Sequence, residues 1–133
     1  MATNLFKKYA TDDKKELEGV EITIDGVVFV CRRAGGSNRR YRAALGLALQ
    51  AEPTLSAQLN DADQQVALTA DDTITQRAFF DAVVIGWREV LGRDDEPMEF
   101  NKTNFMDLMQ SCPDVWVALR SAARDMDNYR IDQ

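Results

Sequence analysis

The residues best placed to do chemistry in this chain are five arginines gathered round a glycine pair. Arg32 and Arg33 precede Gly35-Gly36, while Arg39, Arg40 and Arg42 follow it with Tyr41 among them. Guanidinium groups at a helix start can grip an anion, and with an aromatic ring beside them they can hold a phosphate backbone. The glycines match neither GxGxxG nor GxxxxGK[ST], so no nucleotide-binding loop is indicated. With 16 Lys and Arg against 22 Asp and Glu the net charge is −6, a field that repels nucleic acid. The basic face is therefore expected to pair with acidic protein surfaces, its own or a partner's. Arg33, Arg39, Arg40 and Tyr41, with a neighbouring hairpin edge, are the predicted partner-contact residues.

Other reactive groups point to no site. Histidine is absent, which removes the commonest general base, the Ser/His and Cys/His nucleophile arrangements and HxxxH metal sites. Asp94-Asp95-Glu96 lacks the spacing and glycine of a calcium loop, and Asp61-x-Asp63 alone is too short a signal, so both read as solvated turns. Cys31 and Cys112 have no CxxC spacing, and the N-terminus does not resemble a signal peptide, so free, mostly buried thiols in a reducing cytoplasm are expected. Cys112 stands beside Pro113 at a helix start, without a base or resolving cysteine nearby in sequence. The expectation is a non-enzyme with no catalytic residues, metal or cofactor, and with no nucleic-acid or membrane partner.

The elements that hold these residues follow from periodicity. The length of 133 residues suits one domain. Residues 1–18 read as a flexible arm, 19–129 as a single helical domain and 130–133 as a tail. Asp25-Gly26 between alternating Val20, Ile22, Ile24 and the run Val27 to Val30 predicts a β-hairpin at about 19–32. Ser37 or Asn38 is placed to cap a helix with Tyr41, Ala44, Leu45 and Ala48 inward, ending at Glu52-Pro53. A shorter amphipathic piece carries Leu55, Leu59, Ala62 and Val66.

Apolar residues at helical spacing on three rows predict a central core helix from Thr73 to Leu91. Asp71 and Asp72 stand at its start, and Gly92 is its C-cap. Phe80, Val84 and Trp87 belong to that core, joined by Phe105 and Trp116 from later helices. Asn101 reads as the N-cap of the next helix, with Phe100 and Phe105 as a hydrophobic staple. Pro113-Asp114 opens the last helix, with Val115, Leu119, Ala122 and Met126 inward. The expected fold is mainly α: four to five helices around the core helix, with one N-terminal hairpin.

Three stretches in order, GVEITIDGVVFVCRRAGGSNRRYRAAL, VVIGWREVLGRDDEPMEFNKTNFMDLM and CPDVWVALRSAARDMDNY, resemble the tail assembly chaperones of long, non-contractile-tailed, lambda-like bacteriophages. The similarity spans most of residues 19–129 and matches least over 53–72. Such a resemblance implies a protein that binds the tape measure protein and keeps it soluble. It also implies recruitment of tail tube subunits and self-association. The work would be done in the host bacterial cytoplasm, and the protein would be left out of the mature virion. Two other readings remain open: a small nucleic-acid-binding regulator using the helix start from Arg39 to Arg42, and a structural tail or connector protein.

Overall fold

The computed structural model describes the backbone of residues 2–51 and 64–131, and the side chains of residues 2–50 and 72–131. Leu55, Leu59 and Ala62, Asp61 and Asp63, and the predicted helix stop at Pro53 lie outside the described residues, as does the side chain of Val66.

The hairpin forms where the Asp-Gly pair places it. Strand β1, Val20–Ile24, pairs antiparallel with β2, Val27–Cys31, with Ile24 opposite Val27 and Val20 opposite Cys31. Asp25 and Gly26 both take positive φ, 48° and 81°, the requirement of a type I′ turn whose twist matches that of the strands.

The hairpin is not alone, and this overturns the fold expected from periodicity. Val84–Arg88 forms a third strand, β3, antiparallel to β2, and the sheet has the order β1-β2-β3. The helix expected to run from Thr73 to Leu91 instead spans Gln64–Ala82 and stops before the strand. Of the three apolar rows, Ile74, Ala78, Ala82, Phe79, Val83, Val84 and Val90 are buried, whereas Ile85 and Leu91, the last members of the first and third, are exposed. The continuation, Val83-Val84-Ile85-Gly86-Trp87, is β-branched and contains glycine, both unfavourable in a helix interior. A short run that is apolar on all sides cannot be told from a buried strand by period alone. A two-stranded ribbon is marginal in water, so a third strand completes what the hairpin lacks. Two dependent expectations fall with the long helix. Asp71 and Asp72 are interior to it, not at its start, and Gly92 lies in a turn, not at a helix end. The register slips by one residue at Val30/Cys31, leaving Ile85 as the extra, exposed residue of β3.

Among the described residues the helices are α1 (Leu5–Tyr9), α2 (Asp13–Glu18), α3 (Arg39–Ala51), α4 (Gln64–Ala82), α5 (Lys102–Ser111) and α6 (Pro113–Arg124), with a final 3-10 turn over Met126–Tyr129. Asn101 caps α5 as its sequence predicts: its side chain accepts the Asn104 N–H at 2.8 Å. The flanking Phe100 and Phe105 rings lie 6.3 Å apart, nearly perpendicular, and so form the staple. Pro113 and Asp114 open α6, whose buried face is Trp116, Leu119 and Ala123. Of the residues expected inward there, Leu119 is fully buried, Val115 and Ala122 are partly so, and Met126 lies past the end of the helix.

Two aromatic groups tie the layers together. Phe79 lies edge-on between Tyr41 at 5.4 Å and Trp116 at 4.8 Å, joining α3, α4 and α6. Phe80 and Trp87 each lie 5.1 Å from Phe100, with Phe105 completing the cluster. Of the expected core residues, Val84, Phe105 and Trp116 are fully buried, while Phe80 and Trp87 are partly buried and pack against that core. The Trp87 indole N–H donates to the Met98 carbonyl at 2.9 Å, which fastens the chain returning from the acidic turn.

Phe105 is wholly buried in the second group. Phe105→Ala should cost about 3 to 5 kcal/mol, read as a lower denaturant midpoint with an unchanged slope.

Candidate interaction surface

The arginine-glycine turn that invites an anion has one already, supplied by the chain itself. Glu16 of α2 is only 1% exposed and sits inside the turn formed by residues 33–38. Arg33 Nη1 donates to its Oε2 at 2.5 Å; the Thr11 hydroxyl, at 3.0 Å, and the Ser37 backbone N–H, at 3.4 Å, donate to Oε1. The Arg33 backbone N–H also donates to the Glu16 carbonyl. Gly36 takes φ +55°, and a Cβ there would collide with the Glu16 carboxylate and the Arg33 guanidinium. The glycine thus serves both the left-handed backbone and the close approach of a buried charge.

Burial alone would push the Glu16 carboxyl up, but the hydrogen bonds from Arg33, Thr11 and Ser37 and the Arg33 charge outweigh it. The net position is below the ordinary carboxylate value of 4.5.

Asn38, 3% exposed, acts at the same junction. Its amide donates to the Arg33 carbonyl at 3.0 Å and to the Ala82 carbonyl at 2.8 Å. It thereby links the turn to the last residue of α4, whose carbonyl has no partner within the helix. The C-terminal segment closes the other side. Tyr129 is fully buried, its hydroxyl 3.2 Å and 3.1 Å from the carbonyls of Cys31 and Arg32, and its own carbonyl accepts the Asp12 N–H at 2.8 Å. Burial pushes the Cys31 thiol up to about 12 and raises the Tyr129 hydroxyl as well, so neither ionises near neutral pH.

The four predicted contact residues are therefore divided. Arg33 is turned inward onto Glu16, and Tyr41 is buried against Phe79 with its hydroxyl accepting from Arg124 at 3.5 Å. Arg39 and Arg40 stand exposed on the first turn of α3, with Arg42 exposed one residue beyond Tyr41. Sequence reasoning missed Glu16, in the stretch read as a flexible arm, and Tyr129, in the polar tail DNYRIDQ. The one available signal was the single tyrosine of DNYRIDQ. Among the described residues no group of three or more His, Cys, Asp or Glu could hold a metal ion, and no helix is long and apolar enough to cross a membrane.

A family model described as YdaY prophage protein matches residues 37–133, from the end of the arginine-glycine turn to the last residue. The chain belongs to the YdaY prophage protein family. It is thus a phage-derived protein, and the match covers α3 to α6, β3 and the closing Tyr129 turn. No curated protein and no solved structure matches it.

The depressed Glu16 carboxyl links stability to pH in this YdaY-family chain. Stability from Glu16 is complete above about pH 4.5 and is lost as pH falls through the lower folded-state value. Glu16→Gln should cost about 3 kcal/mol at neutral pH, because the half-buried Arg33 loses its counter-charge. It should also flatten the loss of stability below pH 4.5, measured by urea unfolding across an acid series.

Proposed function

We propose that this phage-derived chain is a tail assembly chaperone that works without chemistry. It would bind the tape measure protein, a long helical and aggregation-prone chain, keep it soluble in the host cytoplasm, and help tail tube subunits gather round it. One observation carries this reading beyond the family match and the order of the sequence motifs. Helix α1 buries none of its side chains: Leu5 and Tyr9 are exposed, and Phe6 is 85% exposed. Together with Ala10, Lys7, Arg130 and the exposed Ile131, Phe6 lines a shallow groove where the N- and C-terminal segments meet.

A short helix that keeps Leu5, Phe6 and Tyr9 on the surface at no gain to the core fits a device for shielding apolar segments of another protein. The helix is held in place, since Thr11 bridges Arg130 and the arm is pinned by Glu16 just beyond. Many copies along one long partner add avidity while each contact stays weak enough to release.

Co-expression with the tape measure protein of the same prophage should keep that protein soluble and give a complex that co-purifies. The double substitution Leu5→Ser and Phe6→Ser should abolish the complex. Its melting temperature should stay within about 2 °C of the parent, since α1 contributes no buried side chain. A complex that survives this change, or the absence of any complex with the parent chain, would refute the reading.

A further inference from the structure

The groove at the clasped termini carries charge as well as apolar surface. Its lining is Phe6, Ala10 and Ile131 together with two cations, Lys7 and Arg130, and no acid. Lys7 and Lys8 are both exposed, and neither has an ion-pair partner among the described residues. Lys8 lies over the Tyr9 ring, 5.5 Å from its centroid, so charge and apolar surface are laid side by side. The Lys15 ammonium, donating to the Arg130 carbonyl at 2.8 Å, adds a further cation where Thr11 bridges Arg130.

The acids closest along the chain are engaged in local bonds. Asp12 caps α2, its carboxylate accepting the Lys14 and Lys15 N–H groups, Asp125 accepts the Asp127 N–H, and Asp127 holds the Arg130 Nε at 2.6 Å. None of these carboxylates lines the groove. The first ten residues contain no Asp or Glu, so all 22 acids of the chain lie beyond them. A segment entering the groove therefore meets cations, on a molecule whose net charge is −6.

We infer, building on the chaperone reading of α1, that the segment it covers is an apolar stripe edged by Asp or Glu, not a purely apolar one. Leu5, Phe6, Tyr9 and Ile131 take the apolar side chains, and Lys7, Lys8 and Arg130 meet the flanking carboxylates. The net negative charge of the whole molecule disfavours such a segment elsewhere, which confines it to this one patch. Ion pairs at an exposed site are weak and screened by salt. They select and orient the segment while each contact stays easy to release.

The test uses the full-length chain and two synthetic helical peptides of about 18 residues, which share one leucine stripe at i, i+3, i+4 and i+7 and differ only in its flanks, Glu in one and Gln in the other. The net charge of −6 disfavours the Glu peptide, so a preference for it reports the local cations. By fluorescence anisotropy the parent should bind the Glu peptide at least about five-fold more tightly than the Gln peptide at about 50 mM NaCl, with the preference gone at about 500 mM. Lys7→Gln with Lys8→Gln should lose that preference and still bind the Gln peptide like the parent, because glutamine matches lysine in helix propensity and the apolar side chains are untouched. Lys7→Arg with Lys8→Arg should keep it. A parent that binds the two peptides alike, binds neither, or prefers the Gln peptide overturns the inference. So does a preference that survives Lys7→Gln with Lys8→Gln, or one lost in the arginine pair of substitutions. Tighter binding of the parent to anionic phospholipid vesicles than to the Glu peptide overturns it too, since the patch then fits a membrane surface better. Failure here with the co-expressed tape measure complex intact removes only the acidic flanks; the preference without that complex removes that partner and keeps the acidic segment.

Discussion

A buried carboxylate inside a turn of small residues organises the start of this fold. Glu16 brings a negative charge to a place where only 1% of its surface meets water. The surroundings answer with a guanidinium, a hydroxyl and a backbone N–H. That demand dictates the glycine at 36, the inward course of Arg33 and the route of the chain into Asn38. Asn38 then ties the turn to the last residue of α4. The Tyr129 hydroxyl caps the carbonyls of Cys31 and Arg32 on the strand leading into the turn, so the two termini close over one junction. A charge so enclosed is strongly destabilising when its partner is removed, so Glu16 and Arg33 depend on each other.

The same enclosure divides the arginine cluster into two roles. Arg33 is part of the interior, whereas Arg39, Arg40 and Arg42 are left outside with no ion-pair partner among the described residues. Glu89, Asp94, Asp95 and Glu96 are exposed beyond the far end of β3. Helix α1, with Leu5, Phe6 and Tyr9 exposed, sits near the clasped termini as a different kind of surface. On the proposed reading, the exposed side chains of α1 are the surface that adheres, and many weak copies along one partner add avidity.

Local rules made much of this legible in the sequence. The Asp25-Gly26 turn, the Asn101 cap with its Phe100 and Phe105 staple, and Pro113 at the head of α6 each depend on residues within a few positions, and each appears where expected. The third strand was hidden because Val83 to Trp87 satisfies helical and strand patterns alike, and only the unpaired edge of β2 decides between them. Glu16 was invisible for another reason. Nothing in TDDKKELEG marks which of its acids is buried, since the counter-charge lies 17 residues away in Arg33. Tyr41 and Trp116 were readable as inward residues, but their meeting through Phe79 is a product of three helices.

The central claim is that this YdaY-family protein covers another protein during phage assembly and then leaves. Counting its copies by mass spectrometry, in tail-assembly intermediates and in purified mature particles from one induced prophage, tests that claim most directly. The account predicts abundant copies alongside the tape measure protein in the intermediates and none in the particles. A fixed number of copies retained in every mature particle would contradict it and make the protein a building block of the tail.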